Sequence, residues 1–204
     1  MSEEQISEPE SDAAPAKRPN RIVALAIAVA AIACLGFAAF TDRWLEGPQV
    51  DVHFGLRTMT RCAGAQCESI GNGEFVSAMR GLEGVGEHAA PSVFAPAGWV
   101  TFVACLFAIA GLLAAVALAA ARKRPTLPVT PTTIALLAIM LALVAGCVFV
   151  ATNPDPVGLI GVSLSFYAFG AGCILGMLGA QMLAKVNRPL DPDLLEDAMN
   201  PDQF

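Results

Sequence analysis

Residues 22–40 read IVALAIAVAAIACLGFAAF, an apolar run that begins just after Arg21 and stops at Thr41-Asp42-Arg43-Trp44. A helix rising about 1.5 Å per residue needs about 20 such residues to cross a hydrocarbon layer of ~30 Å, so the run predicts a membrane-spanning helix. Three more runs of this kind lie at roughly 99–121, 134–152 and 157–183. None of the four cores carries Asp, Glu, Lys, Arg or His. Pumps, proton relays and haem sites need ionisable or ligating groups at membrane depth, so those function classes are disfavoured.

Working outward, the runs divide the chain into nine parts. An acidic tail expected to be disordered (1–20) precedes a first span (21–41), and an extracytoplasmic loop (42–98) carries a hairpin and a short helix. A second span (99–121), a cytoplasmic connection (122–133), a third span (134–152), a tight external turn (153–156), a fourth span (157–184) and an acidic tail (185–204) follow. With 55% hydrophobic residues, 15% charged residues and a mean hydropathy of +0.61, the chain belongs with integral membrane proteins. The formal net charge of −6 disfavours nucleic acid as a partner, because a phosphate-binding face needs clustered Lys and Arg. The first run is also longer than the 7–15 apolar residues of a secretory signal, which points to a retained helix.

Basic residues set the expected orientation. Lys17, Arg18 and Arg21 precede the first run, Arg122-Lys123-Arg124 separate the second from the third, and Lys185 and Arg188 follow the fourth. The positive-inside rule places all three groups in the cytoplasm, with both termini inside. The expected location is a plasma membrane, or the inner membrane of a Gram-negative cell.

In the first loop, period-2 alternation predicts one strand. Val50, Val52, Phe54, Leu56, Thr58, Thr60 and Cys62 would share one face, and Asp51, His53, Gly55, Arg57, Met59 and Arg61 the other. Ala63–Gln66 reads as a turn, Cys67–Ile70 as a return strand and Gly71-Asn72-Gly73 as a second turn. From Glu74, Phe75, Val76, Met79 and Leu82 change to helical spacing, predicting a short surface helix packed on the hairpin. Trp44 is expected as an indole at the membrane interface.

The six cysteines split by environment. Cys34, Cys105, Cys147 and Cys173 fall in the apolar runs, where Cys behaves as a small hydrophobe. Cys62 and Cys67 sit in the loop, in an oxidising compartment under this topology. Placed opposite one another across a four-residue turn, they could close a structural disulfide that holds the hairpin in register. The spacing is not the CxxC of redox enzymes, and a zinc site would need further ligands beyond His53 and His88, the chain's two histidines.

The pattern Trp44 … Gly55-Leu56 … Cys62 … Cys67, with the basic Arg80 on a short helix leading to the second span, resembles tetraspan proteins of the claudin and peripheral-myelin-protein type. Arg57 stands where that family carries a second Trp. The resemblance implies a four-helix transmembrane bundle, all-α in the membrane, with a small extracellular antiparallel β-sheet in the first loop. It also implies a Cys62–Cys67 disulfide within that sheet, and Trp44, Gly55 and Leu56 seating the sheet on the membrane.

On the fourth run, Ala168, Gly172, Gly176 and Ala180 make a small-residue ridge suited to close helix packing, matched by Ala104, Ala108, Gly111 and Ala115 on the second. Packing within the bundle is the expected use, and lateral association is the alternative. No nucleophile–base pair, metal set or cofactor motif stands out. The expected function is therefore that of a non-enzymatic structural or accessory subunit. It would sit in the lipid bilayer as a homo-oligomer or within a larger membrane complex. The alternatives are a membrane thiol–disulfide oxidoreductase using Cys62 and Cys67, and a barrier or pore former lined by Asp51, His53, Arg57 and Arg61.

Overall fold

A computed structural model describes residues 20–47, 51–64, 66–82, 91–121, 130–154 and 160–187. In chain order the elements are α1 (Arg21–Phe40), β1 (Leu45–Gly47), β2 (Val52–Phe54), β3 (Thr58–Ala63), β4 (Gln66–Gly71) and α2 (Asn72–Arg80). They continue with α3 (Phe94–Ala121), α4 (Pro131–Ala151), β5 (Gly161–Val162) and α5 (Leu164–Asn187). The expectations for most of the acidic tails, for Arg122-Lys123-Arg124 and for His88 lie outside the described residues.

Helices α1, α3, α4 and α5 are each long and apolar enough to cross a membrane. They close a ring in which α1 and α4 each pack on α3 and α5. On α1 the inward residues are Ala24, Ala28, Ala31, Leu35 and Ala38, at the alternating steps of four and three that keep one stripe against its neighbours. The outward residues are larger and equally apolar: Ile22, Val23, Val29, Phe37 and Phe40. Small residues inside let backbones approach closely. A Cβ placed on Gly179 of α5 would lie 3.1 Å from Ala28 Cα, and one on Gly111 of α3 would lie 2.9 Å from Ala135 N.

The helix ends are fastened individually. Asn20 caps α1 by accepting the Ile22 N–H at 3.0 Å. Thr130 caps α4, and Pro131 fills its first position, where a missing N–H costs nothing. The Arg21 guanidinium donates to the carbonyls of Ala119 and Ala120, tying the start of α1 to the end of α3.

At the opposite end of the bundle lies one antiparallel sheet in the order β4-β3-β2-β1-β5. This corrects the sequence reading in several places. The alternating run 50–62 is two strands, because the chain reverses at Leu56-Arg57, where the Gly55 N–H donates to Thr58 O at 2.8 Å. The reversal shifts the parity of the second half. Phe54 pairs with Met59 and Met59 with Ile70, so Met59 lies on the buried face, while Thr58, Thr60 and Cys62 face the other way. The return strand is longer than expected (Gln66–Gly71), and α2 starts at Asn72 directly, without the turn expected there. Leu82 falls beyond α2 and is exposed, whereas Val76 is buried and Phe75 and Met79 pack on the core.

The connection after α4 is also more than a tight turn. Gly161 and Val162, read as the start of the fourth span, form β5 and pair with Glu46 and Leu45 of β1. A short apolar run fits strand and helix equally well, and hydropathy cannot separate them. Similarly, α3 begins at Phe94, five residues before the expected start. Pro96 sits in its first turn, where no backbone donor is lost.

Candidate functional site

Trp44, Gly55 and Leu56 of the family-like pattern gather where the sheet meets the helix ends. Trp44, expected at a lipid interface, is instead fully buried in protein. Its Nε1 donates to Ala38 O at 2.5 Å, which satisfies one of the last carbonyls of α1 from within the core. Its backbone joins two strands: the Trp44 N–H donates to Phe54 O at 2.7 Å, and Trp44 O accepts from Ser163 N at 3.0 Å. The indole lies 4.9 Å from the Phe169 ring of α5 and 5.9 Å from Phe149 of α4.

From Trp44 a chain of aromatic contacts runs across the junction. Phe149 stacks on Phe94 at 4.5 Å, Phe94 meets Phe54 edge-on at 5.7 Å, and Phe54 meets Phe75 of α2 at 5.4 Å. Such pairs each contribute about 0.5–1.5 kcal/mol beyond burial of their area. Sheet, α2 and helices α3–α5 therefore share one core, and motion of the cap over the bundle would have to break it.

The β2–β3 tip, Leu56-Arg57, descends onto α3. Leu56 is buried, and its carbonyl rests on Gly98, where a Cβ would lie 2.1 Å from the Leu56 oxygen. Gly55 also packs closely, since a Cβ there would lie 2.9 Å from Asp42 Cα. Asn72, fully buried at the start of α2, holds the tip from the other side. Its Nδ2 donates to Gly55 O at 2.9 Å, and its N–H donates to Arg57 O at 2.9 Å. The sequence reading passed over Asn72; an Asn between two glycines gives no signal beyond that of a turn.

Cys62 and Cys67 are bonded, with Cα atoms 4.1 Å apart in paired register. The Cys62 N–H points away from Cys67 and donates to Asp51 O of the neighbouring strand at 3.0 Å, as expected for a non-hydrogen-bonded pair. Because of the parity shift the bond lies on the outward face, with Cys67 exposed on the edge strand β4. The other four cysteines are free and lie in α1, α3, α4 and α5. Arg80 ends α2, on the outside of the cap.

Of the charged residues considered for a conducting surface, His53 and Arg61 lie on opposite faces of the sheet. Arg57 lies at the hairpin tip, its Cζ 4.4 Å from the centre of the Phe102 ring. The four are not gathered on one face.

The small-residue ridge of α5 is spent inside the bundle. A Cβ on Gly172 would meet Leu35 and Cys34 of α1 at 3.0–3.1 Å, and one on Gly176 would meet Ile139 of α4 at 2.7 Å. Ala180 is fully buried and Ala168 half-buried. The matching positions on α3, Ala104, Ala108, Gly111 and Ala115, are all buried. Ser163, expected within the fourth span, precedes α5 and donates from Oγ to Arg43 O, joining the connection after α1 to the one before α5. Among the described residues no cluster of His, Cys, Asp and Glu could hold a metal ion. In comparisons with known proteins, no family model and no curated protein matches the chain.

Proposed function

We propose that this chain is a multi-pass membrane protein of claudin-like architecture, with both termini cytoplasmic and the sheet outside. It would work as a structural or accessory subunit through contacts in the membrane and at its outer face, without chemistry of its own. One observation carries the reading. The outward residues of the four long helices are large and apolar (Phe37, Phe107, Leu137, Val144 and Ile174 among them), while the exposed polar residues are concentrated on the cap. Lipid tails match the first surface and water the second.

The rigid junction supports the finer part of the proposal. A subunit that presents an outer surface to a partner needs that surface held in fixed relation to the bundle. Trp44, Gly98 and the aromatic chain provide this by burying the contact completely. The claudin-like pattern Trp44, Gly55-Leu56, Cys62 and Cys67 is used at this junction and in the cap it holds.

The test is purification of the full chain from membranes in a mild detergent, followed by mass measurement of the native particle and identification of accompanying proteins. The expected result is a homo-oligomer or a complex with a larger membrane protein. A strictly monomeric particle that retains no other protein overturns the subunit role. Release of the chain from membranes by alkaline carbonate overturns the membrane placement itself.

A further inference from the structure

A shallow groove of about 590 Å³ runs along the outside of the bundle between α3 and α4. Its floor includes Ala104 and Ala138, both buried, and its rim is built from Trp99, Phe107, Leu137 and Leu141, all more than half exposed. The cause is local: alanines and Gly111 let the two helices approach, while the large side chains flanking them stand out as walls. The volume falls within the ~300–1,000 Å³ of small-molecule sites, and the lining is wholly apolar.

The upper end of the groove is different. Trp99 forms its rim there, and the Arg57 guanidinium lies 6.0 Å from the Trp99 ring and 4.4 Å from Phe102. Arg57 is held by its backbone, since its carbonyl accepts from Asn72 at the hairpin tip. Among the described residues it has no carboxylate partner. Helix α3 has 28 residues and so spans roughly 42 Å, more than the hydrocarbon layer. Its first turns therefore project into the headgroup region, where Trp and Arg side chains are at home.

On the membrane placement proposed above, we propose that this groove binds a phospholipid of net negative charge. One acyl chain lies between Trp99, Phe107, Leu137 and Leu141, and the phosphate is bound by Arg57. A partner helix fits the groove less well. Helix–helix contacts in lipid rely on small residues that let backbones approach closely, and here Trp99, Phe107, Leu137 and Leu141 stand out on either side of the small ones. The cation at the mouth, with no carboxylate partner among the described residues, selects the headgroup by net charge.

The experiment is native mass spectrometry of the full chain in detergent, with equal amounts of phosphatidylglycerol and phosphatidylcholine of identical acyl chains. The wild type is expected to retain one phosphatidylglycerol in preference to phosphatidylcholine by roughly five- to tenfold, because both lipids offer a phosphate but only the second sets a choline cation beside the Arg57 guanidinium. Arg57→Gln, at an exposed position, should bring the two lipids level. Ala138→Leu, which fills the floor, should lose both, with the melting temperature of each variant checking the fold. Equal retention of the two lipids by the wild type, or full preference surviving in Arg57→Gln, overturns the proposal. So does a co-purifying protein that is lost with Ala138→Leu but kept with Arg57→Gln, which would assign the groove to a partner helix. These outcomes are read on protein that resists carbonate extraction, so they are separate from failure of the membrane placement.

Discussion

The carbonyl of Leu56, at the tip of the β2–β3 hairpin, rests directly on Gly98, one turn into α3, with no room for a side chain between them. Gly98 is thus the seat on which the sheet meets the bundle. Gly98→Ala would put a methyl 2.1 Å from that oxygen, and neither backbone can yield cheaply. The expected loss is about 1–3 kcal/mol, the usual range for overpacking. Thermal unfolding in detergent measures it. Gly170→Ala on α5, where a Cβ meets nothing within 4 Å, is the control and should be neutral or slightly stabilising. Equal melting points for the two variants would remove the seat.

Trp44 is the larger anchor. Trp44→Ala should cost about 3–5 kcal/mol through the cavity and the orphaned Ala38 carbonyl. The chain has two tryptophans, so Trp99→Phe leaves Trp44 as the sole indole emitter. That variant should show blue-shifted fluorescence poorly quenched by acrylamide. Emission typical of indole in water would place Trp44 outside the core.

Asn72 holds the hairpin tip through two donors. Asn72→Ala leaves the Gly55 carbonyl without its partner, for an expected cost of about 1–3 kcal/mol. Asn72→Asp should cost more, because it sets a buried carboxylate against that carbonyl. An unchanged unfolding midpoint for both variants would contradict the clamp.

The Cys62–Cys67 bond closes a small ring on the outward face of the sheet. The chain-entropy estimate gives such a ring about 2 kcal/mol. The sheet keeps its core face without it, so the Cys62→Ala/Cys67→Ala double variant should fold with a lowered melting point. Formation by that variant of the same assembly as the wild type would fit a structural bond. Rapid, reversible exchange of the wild-type bond with glutathione, with the dithiol re-oxidised by reduction of a membrane quinone to its quinol, would instead support the oxidoreductase reading.

Much of the architecture was legible in the sequence because its causes are local. A run of about 20 apolar residues without a charge specifies a helix of spanning length whatever surrounds it, and the four runs became α1, α3, α4 and α5. The Cys62–Cys67 pair was legible for a similar reason, since both lie on one hairpin a few residues apart. That Gly172 and Gly176 share one helix face also followed from spacing, because small residues four apart lie on one side of a helix, whereas their partners on α1 and α4 came only from the folded bundle.

What lay beyond reach was decided by contacts between distant parts of the chain. A two-residue reversal at Leu56-Arg57 turned one apparent strand into two and moved Met59 to the core side, since strand periodicity survives a reversal while parity does not. Gly161 and Val162 became β5 because β1 had an open edge beside them, and hydropathy carries no record of an open edge. Trp44 looked like an interfacial indole from its place after a span. Only the folded chain surrounds it with Phe149, Phe166 and Phe169 and turns a membrane anchor into the centre of the junction.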